Sequence, residues 1–321
     1  MKLNDLKWIS IYIALKTVMV PFIVLPQLLA IRAGAGLGGL LYHLLPKWRK
    51  LGIENITSRL PYLQAQPDWN CLESSPDAII RQVFTNMGIL IAELSLLNSA
   101  RARTLLDRVE IRGLEYYEEA RRNGRGIIGI TAHSGNWELM ALAFGLRITP
   151  INVVARTMKK DYFSKALEEL RTRFGNKIIY RDNGVRDMLA CLKANGALGL
   201  LPDQAVLPPH GILVDFFGRP GWTTFMPVKL AIKTGCPILP FFIHRENDRS
   251  IITIYPELKL LPTGSEEERI LDGTIKMNLA IEQHVLKHPT QWNWLYRRWK
   301  GTEGLPAEMH RQNGADACSR A

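Results

Sequence analysis

Between residues 109 and 256 the chain alternates short apolar runs with longer amphipathic ones, and that rhythm restricts it to a layered α/β fold. The runs are "VEIRG" (109–113), "GIIGITA" (126–132), "INVVAR" (151–156), "NKIIY" (176–180), "ALGLL" (197–201), "PILPFFIH" (237–244) and "IITIYP" (251–256). A continuous apolar run of this length suits a strand buried on both faces, as parallel strands are. The intervening segments, 114–124, from 138, 161–174, 184–194 and 225–234, and the segment 265–286 that follows the last run, carry helical periodicity. Strands alternating with helices predict a mixed, mainly parallel sheet flanked by helices, with ligands collecting at the carboxyl ends of the strands.

The first third is different. "WISIYIALKTVMVPFIVLPQLLAI" (8–31) is a 24-residue apolar stretch broken by Lys16, Pro21 and Pro26. A membrane span needs about 20 apolar residues, and no clear cleavage site follows. The stretch reads as a helix lying on or in a membrane, with a buried core helix as the alternative. The first 60 residues hold eight Lys/Arg against two acids, and the whole chain carries +11. Such an excess favours an anionic lipid surface, an acidic carrier protein or phosphorylated ligands. After "AGAGLGG" (33–39) the pattern is an amphipathic helix broken at Pro46, a polar connection over 62–76, and a helix over 77–97 with Ile80, Val83, Phe84, Met87, Leu90 and Ile91 on one face. The expected organisation is a membrane-anchoring segment over 1–60, an α/β domain over 61–300 and a disordered polar tail over 301–321. The four cysteines are widely spaced and form no metal or disulfide framework.

"GRGIIG" (124–129) matches the dinucleotide-binding glycine pattern, but it follows a helix and opens a strand, the reverse of what that motif requires. The stretch after it carries more chemistry: "TAHSGNWE" places Glu138 five residues beyond His133. On one helix those side chains would be turned about 140° apart. They meet if His133 ends a strand, Ser134-Gly135-Asn136 turns the chain, and Glu138 lies in the first turn of a helix, where the dipole favours a carboxylate. Glu138 would then accept the Nδ1–H of His133 and leave Nε2 free as a base. A histidine held by local turn hydrogen bonds beside an ordinary first-turn glutamate is the alternative.

The "H-x-GNWE" form, followed in order by "VVAR", "YRDNG", "GLLPDQ", "VDFFGRPGWTT", "KTGCPILPFF" and "QWNWLYRRWK", resembles the lipid A biosynthesis lauroyl/myristoyl acyltransferases, within the H-x4-D/E superfamily of glycerolipid acyltransferases. The likeness runs from the apolar amino terminus to about Lys300. It implies transfer of an acyl group from a thioester, on acyl-carrier protein more than coenzyme A, to a hydroxyl of an amphiphilic lipid such as a lipid A precursor. A location at the inner membrane with the catalytic domain on the cytoplasmic face is also implied. His133 would be the base, Glu138 its orienting partner, and backbone amides around Gly135 and Asn136 the oxyanion donors. Where the family usually continues R-P-x-x-N, this chain reads Arg156-Thr157-Met158-Lys159-Lys160, which leaves other glycolipids and aminolipids open as acceptors.

Arg156, Arg181 and Arg298 are candidates for phosphate binding, and Asp203 with Gln204 for holding acceptor hydroxyls. Phe216, Phe217, Trp222 and Phe225 are candidates for an acyl pocket, with plain core packing as the alternative. "WNWLYRRW" (292–299) mixes aromatic and basic residues; beside an apolar amino terminus it reads as an interfacial belt rather than a nucleic-acid surface. No metal or cofactor is called for. A lipid-ester hydrolase using the same pair, and a non-catalytic lipid-binding protein, are the competing functions.

Overall fold

The computed structural model describes residues 13, 17–157, 161–182 and 184–304, with the side chains of 161–164 excepted. The first part of the apolar run, including Lys16, and nearly all of the expected tail lie outside the described residues. Helix α1 (Gln27–Leu44) follows a helical segment over 17–24 after a break at Leu25 and Pro26, then turns by 92° into α2 (Pro46–Gln64). The bend falls at Leu45, next to the proline marked by the sequence, since proline fits the first turn of a new helix but not the interior of an old one.

The α/β body begins with α3 (Pro76–Leu97) and α4 (Ala102–Asp107) and continues β1 (Glu110–Arg112), α5 (Leu114–Arg122), β2 (Ile127–Ile130), α6 (Trp137–Arg147), β3 (Ile151–Ala155), α7 (Asp161–Thr172), β4 (Lys177–Tyr180), α8 (Val185–Lys193) and β5 (Ala197–Leu200). A hairpin, β6 (Gly211–Asp215) and β7 (Pro220–Thr224), precedes α9 (Met226–Thr234), β8 (Ile238–Glu246), β9 (Arg249–Ile254) and α10 (Glu266–Lys287). The main sheet has the order β1-β9-β8-β2-β5-β3-β4, antiparallel only between β8 and β9. The expected mixed, mostly parallel sheet is present, with helices on both faces.

Both faces of β2 are buried. Ile127 packs with Leu139 and Phe144 of α6, whereas Ile128 and Ile130 pack with Met188 and Leu192 of α8 and Val228 of α9. A strand covered on both sides has no polar face to show, which is why the run is apolar throughout.

The hairpin went unrecognised in the sequence. Phe216 N–H donates to Arg219 O at 2.9 Å, and the two residues between them, Phe217 and Gly218, have φ of 52° and 68°. Both positive angles make the tight turn that right-twisted strands prefer, but Asn-Gly is its usual signal and a phenylalanine is not. Phe217 is held there because its ring stacks on Trp294 (5.7 Å between centroids) and its N–H donates to Glu282 at 2.8 Å.

Helices α1 and α3 pack backbone to backbone through Gly34, Gly38 and Gly88. A Cβ on Gly38 would lie 2.2 Å from Phe84 O, and one on Gly88 2.1 Å from Gly34 O. Helix α3 is long and apolar enough to cross a membrane, yet 56% of its apolar window is buried inside the protein, so packing explains its composition. Gly38→Leu is expected to cost about 3 kcal/mol through overpacking. Gly36→Ala, where a Cβ meets nothing within 4 Å, should be neutral or stabilising by up to about 1 kcal/mol. Thermal melts in detergent compare the two; equal melting temperatures would contradict the close helix contact.

Candidate active site

Strands β2 and β5 are adjacent and parallel, in register from Ile127 with Ala197 to Ile130 with Leu200, so the loops after them leave the same edge of the sheet side by side. The first carries His133 and the second Asp203. His133 Nδ1 lies 2.7 Å from Asp203 Oδ1, and the His133 backbone N–H donates to Asp203 Oδ2 at 2.9 Å. Trp292 Nε1–H donates to the same Oδ2 at 2.9 Å. An ionised carboxylate only accepts, so Nδ1 carries the proton and Nε2 is left with its lone pair. Burial pushes the Asp203 carboxyl up, but the His133 charge and the hydrogen bonds from His133 and Trp292 outweigh it and hold the group below its ordinary range. Burial likewise pulls His133 down, and the Asp203 charge and hydrogen bond outweigh it, so His133 titrates above its ordinary value. Gln204 brings its side-chain amide to 3.4 Å from His133 Nε2.

The turn after His133 has the expected form. Gly135 has φ 57°, and a Cβ there would lie 2.5 Å from Ile243 O, so both backbone angle and space demand glycine. Asn136 caps α6 by accepting from Leu139 N–H at 2.9 Å, and Glu138 lies in the first turn. The expected partnership of Glu138 with His133 Nδ1 is corrected: Arg171 of α7 holds Glu138 in a two-pronged ion pair, Nε to Oε2 at 2.9 Å and an NH2 to Oε1 at 2.5 Å. Trp137 Nε1–H also donates to Glu138 Oε1, at 3.2 Å. A guanidinium satisfies both carboxylate oxygens at once, which one imidazole N–H does not. The Gly135 amide is corrected as an oxyanion donor too, because it donates to Gln291 O at 3.0 Å.

A family model described as bacterial lipid A biosynthesis acyltransferase matches residues 5–301. The chain belongs to that family. It is 27% identical over 212 residues to a phosphatidylinositol mannoside acyltransferase of Mycobacterium tuberculosis, covering 65% of each chain. It thus spans somewhat under two thirds of that mycobacterial relative's length. It is 24% identical over 291 residues to a lipid A biosynthesis acyltransferase of Haemophilus influenzae (90% of this chain, 85% of that protein). With the lipid A biosynthesis lauroyltransferase of Escherichia coli it shares 24% identity over 310 residues, 94% of each.

Other sequence candidates divide by location. Arg156 and Arg181 are exposed just past β3 and β4, on the sheet edge that carries His133 and Asp203, and Arg181 N–H donates to Ala155 O at 2.8 Å. Arg298 is fully buried. It donates to Trp222 O (2.9 Å) and Thr223 Oγ1 (2.6 Å), and its guanidinium lies over the Phe216 ring, so it is not a surface phosphate ligand. Phe216 and Phe217 are packed in the core with Trp292 and Trp294; Trp222 bonds to Gly301 O (2.9 Å), and Phe225 lies half-buried near Lys229 Nζ. None of these four lines the apolar cavity between the sheet and α6. That cavity is walled by Ile127, Gly129, Met140, Phe144 and Phe241, and reaches Thr131, two residues before His133. Thr131 Oγ1 is buried without a hydrogen-bond partner among the described residues. Among the described residues no group of three or more His, Cys, Asp or Glu is arranged to hold a metal ion.

Sequence reasoning missed Arg171 as the partner of Glu138 and Trp292 as a partner of Asp203, and it did not pair Asp203 with His133. An arginine in an amphipathic helix looks like any solvated charge, and the adjacency of β2 and β5 is not a local property. The pair's titration yields a test. With a raised pKa, the stabilisation linked to His133 is complete below about pH 6.5 and is lost as pH rises through the raised value. That of Asp203, with a lowered pKa, is complete above about pH 4 and is lost as pH falls through the lowered value. Asp203→Asn should therefore show its largest melting deficit between those limits and a lower His133 pKa, read from the pH dependence of carbethoxylation by peptide mass spectrometry. A deficit independent of pH, with His133 titrating as in the wild type, would remove the ion pair.

Proposed function

We propose that this chain transfers a fatty acyl group from an acyl thioester to a hydroxyl of an amphiphilic lipid, with His133 as the base and Asp203 as its orienting carboxylate. The observation that carries the proposal is the imidazole fixed through Nδ1, with the Nε2 lone pair beside the Gln204 amide at the carboxyl edge of the sheet and an apolar cavity that reaches Thr131, two residues before it. Nε2 takes the hydroxyl proton as the acceptor oxygen attacks the thioester carbonyl. The tetrahedral intermediate collapses, the C–S bond breaks, and the thiolate leaves with the proton that His133 returns. Asp203 stabilises the imidazolium in between. The Gln204 amide, next to Nε2, donates to the reacting oxygen. Glu138, locked by Arg171, fixes the first turn of α6; its charge favours the imidazolium and that of Arg171 opposes it.

The cavity's near-wholly apolar walls suit an acyl chain, and exposed Arg156 and Arg181 suit phosphate on the acceptor or on the donor's phosphopantetheine arm. The net charge of +11 favours acyl-carrier protein as donor, since that partner is acidic. A lipid A precursor is the proposed acceptor, supported by the family match and by two lipid A relatives aligned over most of their length. The proposed location is the cytoplasmic face of the inner membrane. Val20, Val24, Leu28, Leu40, Leu44 and Trp48 are exposed on the amino-terminal helices, and Arg32, Lys47, Lys50 and Arg101 are exposed near them in sequence or by contact. Apolar side chains beside cations match an anionic leaflet.

The deciding experiment supplies purified protein with labelled acyl-carrier protein and a lipid A precursor in mixed micelles. Wild type should make acylated lipid and free carrier; His133→Ala should lose about 10³-fold in rate while melting normally. Label released to water in place of lipid would make the protein a hydrolase, and no thioester turnover would make it a lipid-binding protein. Separately, Val24→Asp with Leu28→Asp should reduce flotation with vesicles containing phosphatidylglycerol while leaving the fold intact. Undiminished flotation would move the membrane contact elsewhere.

A further inference from the structure

A closed ring of hydrogen bonds lies behind the turn that carries His133, and no residue in it beyond the turn itself touches the cavity or the dyad's reactive nitrogen. Glu93 of α3 is 1% exposed. Its carboxylate accepts from Asn136 Nδ2 at 2.9 Å and pairs with the Arg245 guanidinium at 2.6 Å. The backbone of Arg245, at the end of β8, is gripped from both sides by one side chain: its N–H donates to Gln291 Oε1 at 2.7 Å, and its carbonyl accepts from Gln291 Nε2 at 2.9 Å. The Gln291 carbonyl accepts the Gly135 N–H, and Gly135 is bonded covalently to Asn136.

The short segment that starts at Gln291 then reaches both halves of the dyad. Ser134 bridges to Trp292, Asn293 N–H donates to His133 O at 2.9 Å, and Trp292 Nε1–H holds Asp203 Oδ2. The positions of His133 and Asp203 relative to each other are thus set through residues 291–293, and that segment is tied down at Gln291 through Arg245 and Glu93. A buried ion pair is a poor source of net stability, because desolvation offsets its attraction, but it fixes geometry where several directional bonds converge.

We propose that Glu93 and Arg245 are positioning residues that hold the catalytic turn and the 291–293 segment in the register that aligns His133 with Asp203. The inference rests on reading His133 and Asp203 as base and carboxylate, and it concerns residues that make no contact with substrate. Helix α3 supplies Glu93 and also the glycine surface on which α1 packs, so the same helix supports the apolar amino-terminal layer and the active-site turn.

The test removes both charges together, as Glu93→Leu with Arg245→Leu, so that no unpaired ion is left in the interior. Two readouts are taken on the full-length protein in detergent: carbethoxylation of His133 against pH by peptide mass spectrometry, and steady-state acyl transfer from acyl-carrier protein. The expected result is a folded variant whose His133 titrates lower, toward its value in Asp203→Asn, with kcat down about 10²-fold and the KM for donor little changed. Glu93→Gln, which keeps an acceptor for Asn136, should restore part of both. A folded double variant with wild-type His133 titration and wild-type kcat would overturn the proposal. If the double variant fails to fold, Glu93→Gln and Arg245→Lys carry the test, and unaltered His133 titration in both overturns it equally. The titration does not depend on acyl transfer, so absence of transfer in the wild type would fail the proposed function and leave this inference separately decided.

Discussion

The hydrogen bond from His133 Nδ1 to Asp203 exists because β2 and β5 are parallel neighbours, and most of the site follows from that adjacency. Two strands running in the same direction deliver their carboxyl ends to one edge, so loops separated by 70 residues in sequence meet there. The strands beyond them, β3 and β4, add Arg156 and Arg181 to the same edge. The crossover helix α6 begins at Trp137, one short turn after His133, and α7 supplies Arg171 to Glu138, joining two consecutive crossovers by an ion pair. A parallel sheet thus lines up His133, Asp203 and two arginines along one edge.

Much of this was legible in the sequence, and the failures share a cause. The strands stood out because double burial leaves them apolar, and the turn at Ser134-Gly135-Asn136 stood out because only certain residues tolerate a left-handed glycine followed by a helix cap. Which strand lies next to β2 is a tertiary fact. Without it Glu138, five residues away, was the only visible partner for His133, and Asp203, 70 residues away, was assigned to the acceptor. The aromatic pair Phe216-Phe217 misled for a related reason: a run of large rings suits a pocket wall as well as a core, and the turn it forms lacks the Asn-Gly signature. Arg298 stood beside another arginine in a mixed aromatic segment, with nothing local to show that it alone would be enclosed.

That enclosure bears on the dyad. Arg298 is buried under the hairpin, its approach permitted by Gly221, where a Cβ would lie 2.8 Å from the guanidinium. Burial lowers its pKa to about 10, still leaving it charged at neutral pH. The anionic sites whose fields it feels are, in order, Asp203, Glu282 and Tyr296. Burial pushes the Glu282 carboxyl up to about 8, so at neutral pH it is mostly protonated and serves as a hydrogen-bonding group for Phe217 and Tyr62 rather than as a countercharge.

Asp203 comes first among the anionic groups whose charge favours the cationic form of Arg298. A carboxylate that is 2% exposed would otherwise tend to protonate, since desolvation disfavours its charge, and a protonated Asp203 could not hold the His133 tautomer or stabilise an imidazolium. The His133 charge and the hydrogen bonds from His133 and Trp292 hold the ionised form against that cost, and Arg298, buried beneath the hairpin, adds a fixed cation behind them. A cation placed nearer would depress the His133 pKa as well as that of Asp203. Set beneath the hairpin, it leaves His133, whose Nδ1 bonds Asp203, with the raised pKa that the Asp203 charge and hydrogen bond give it.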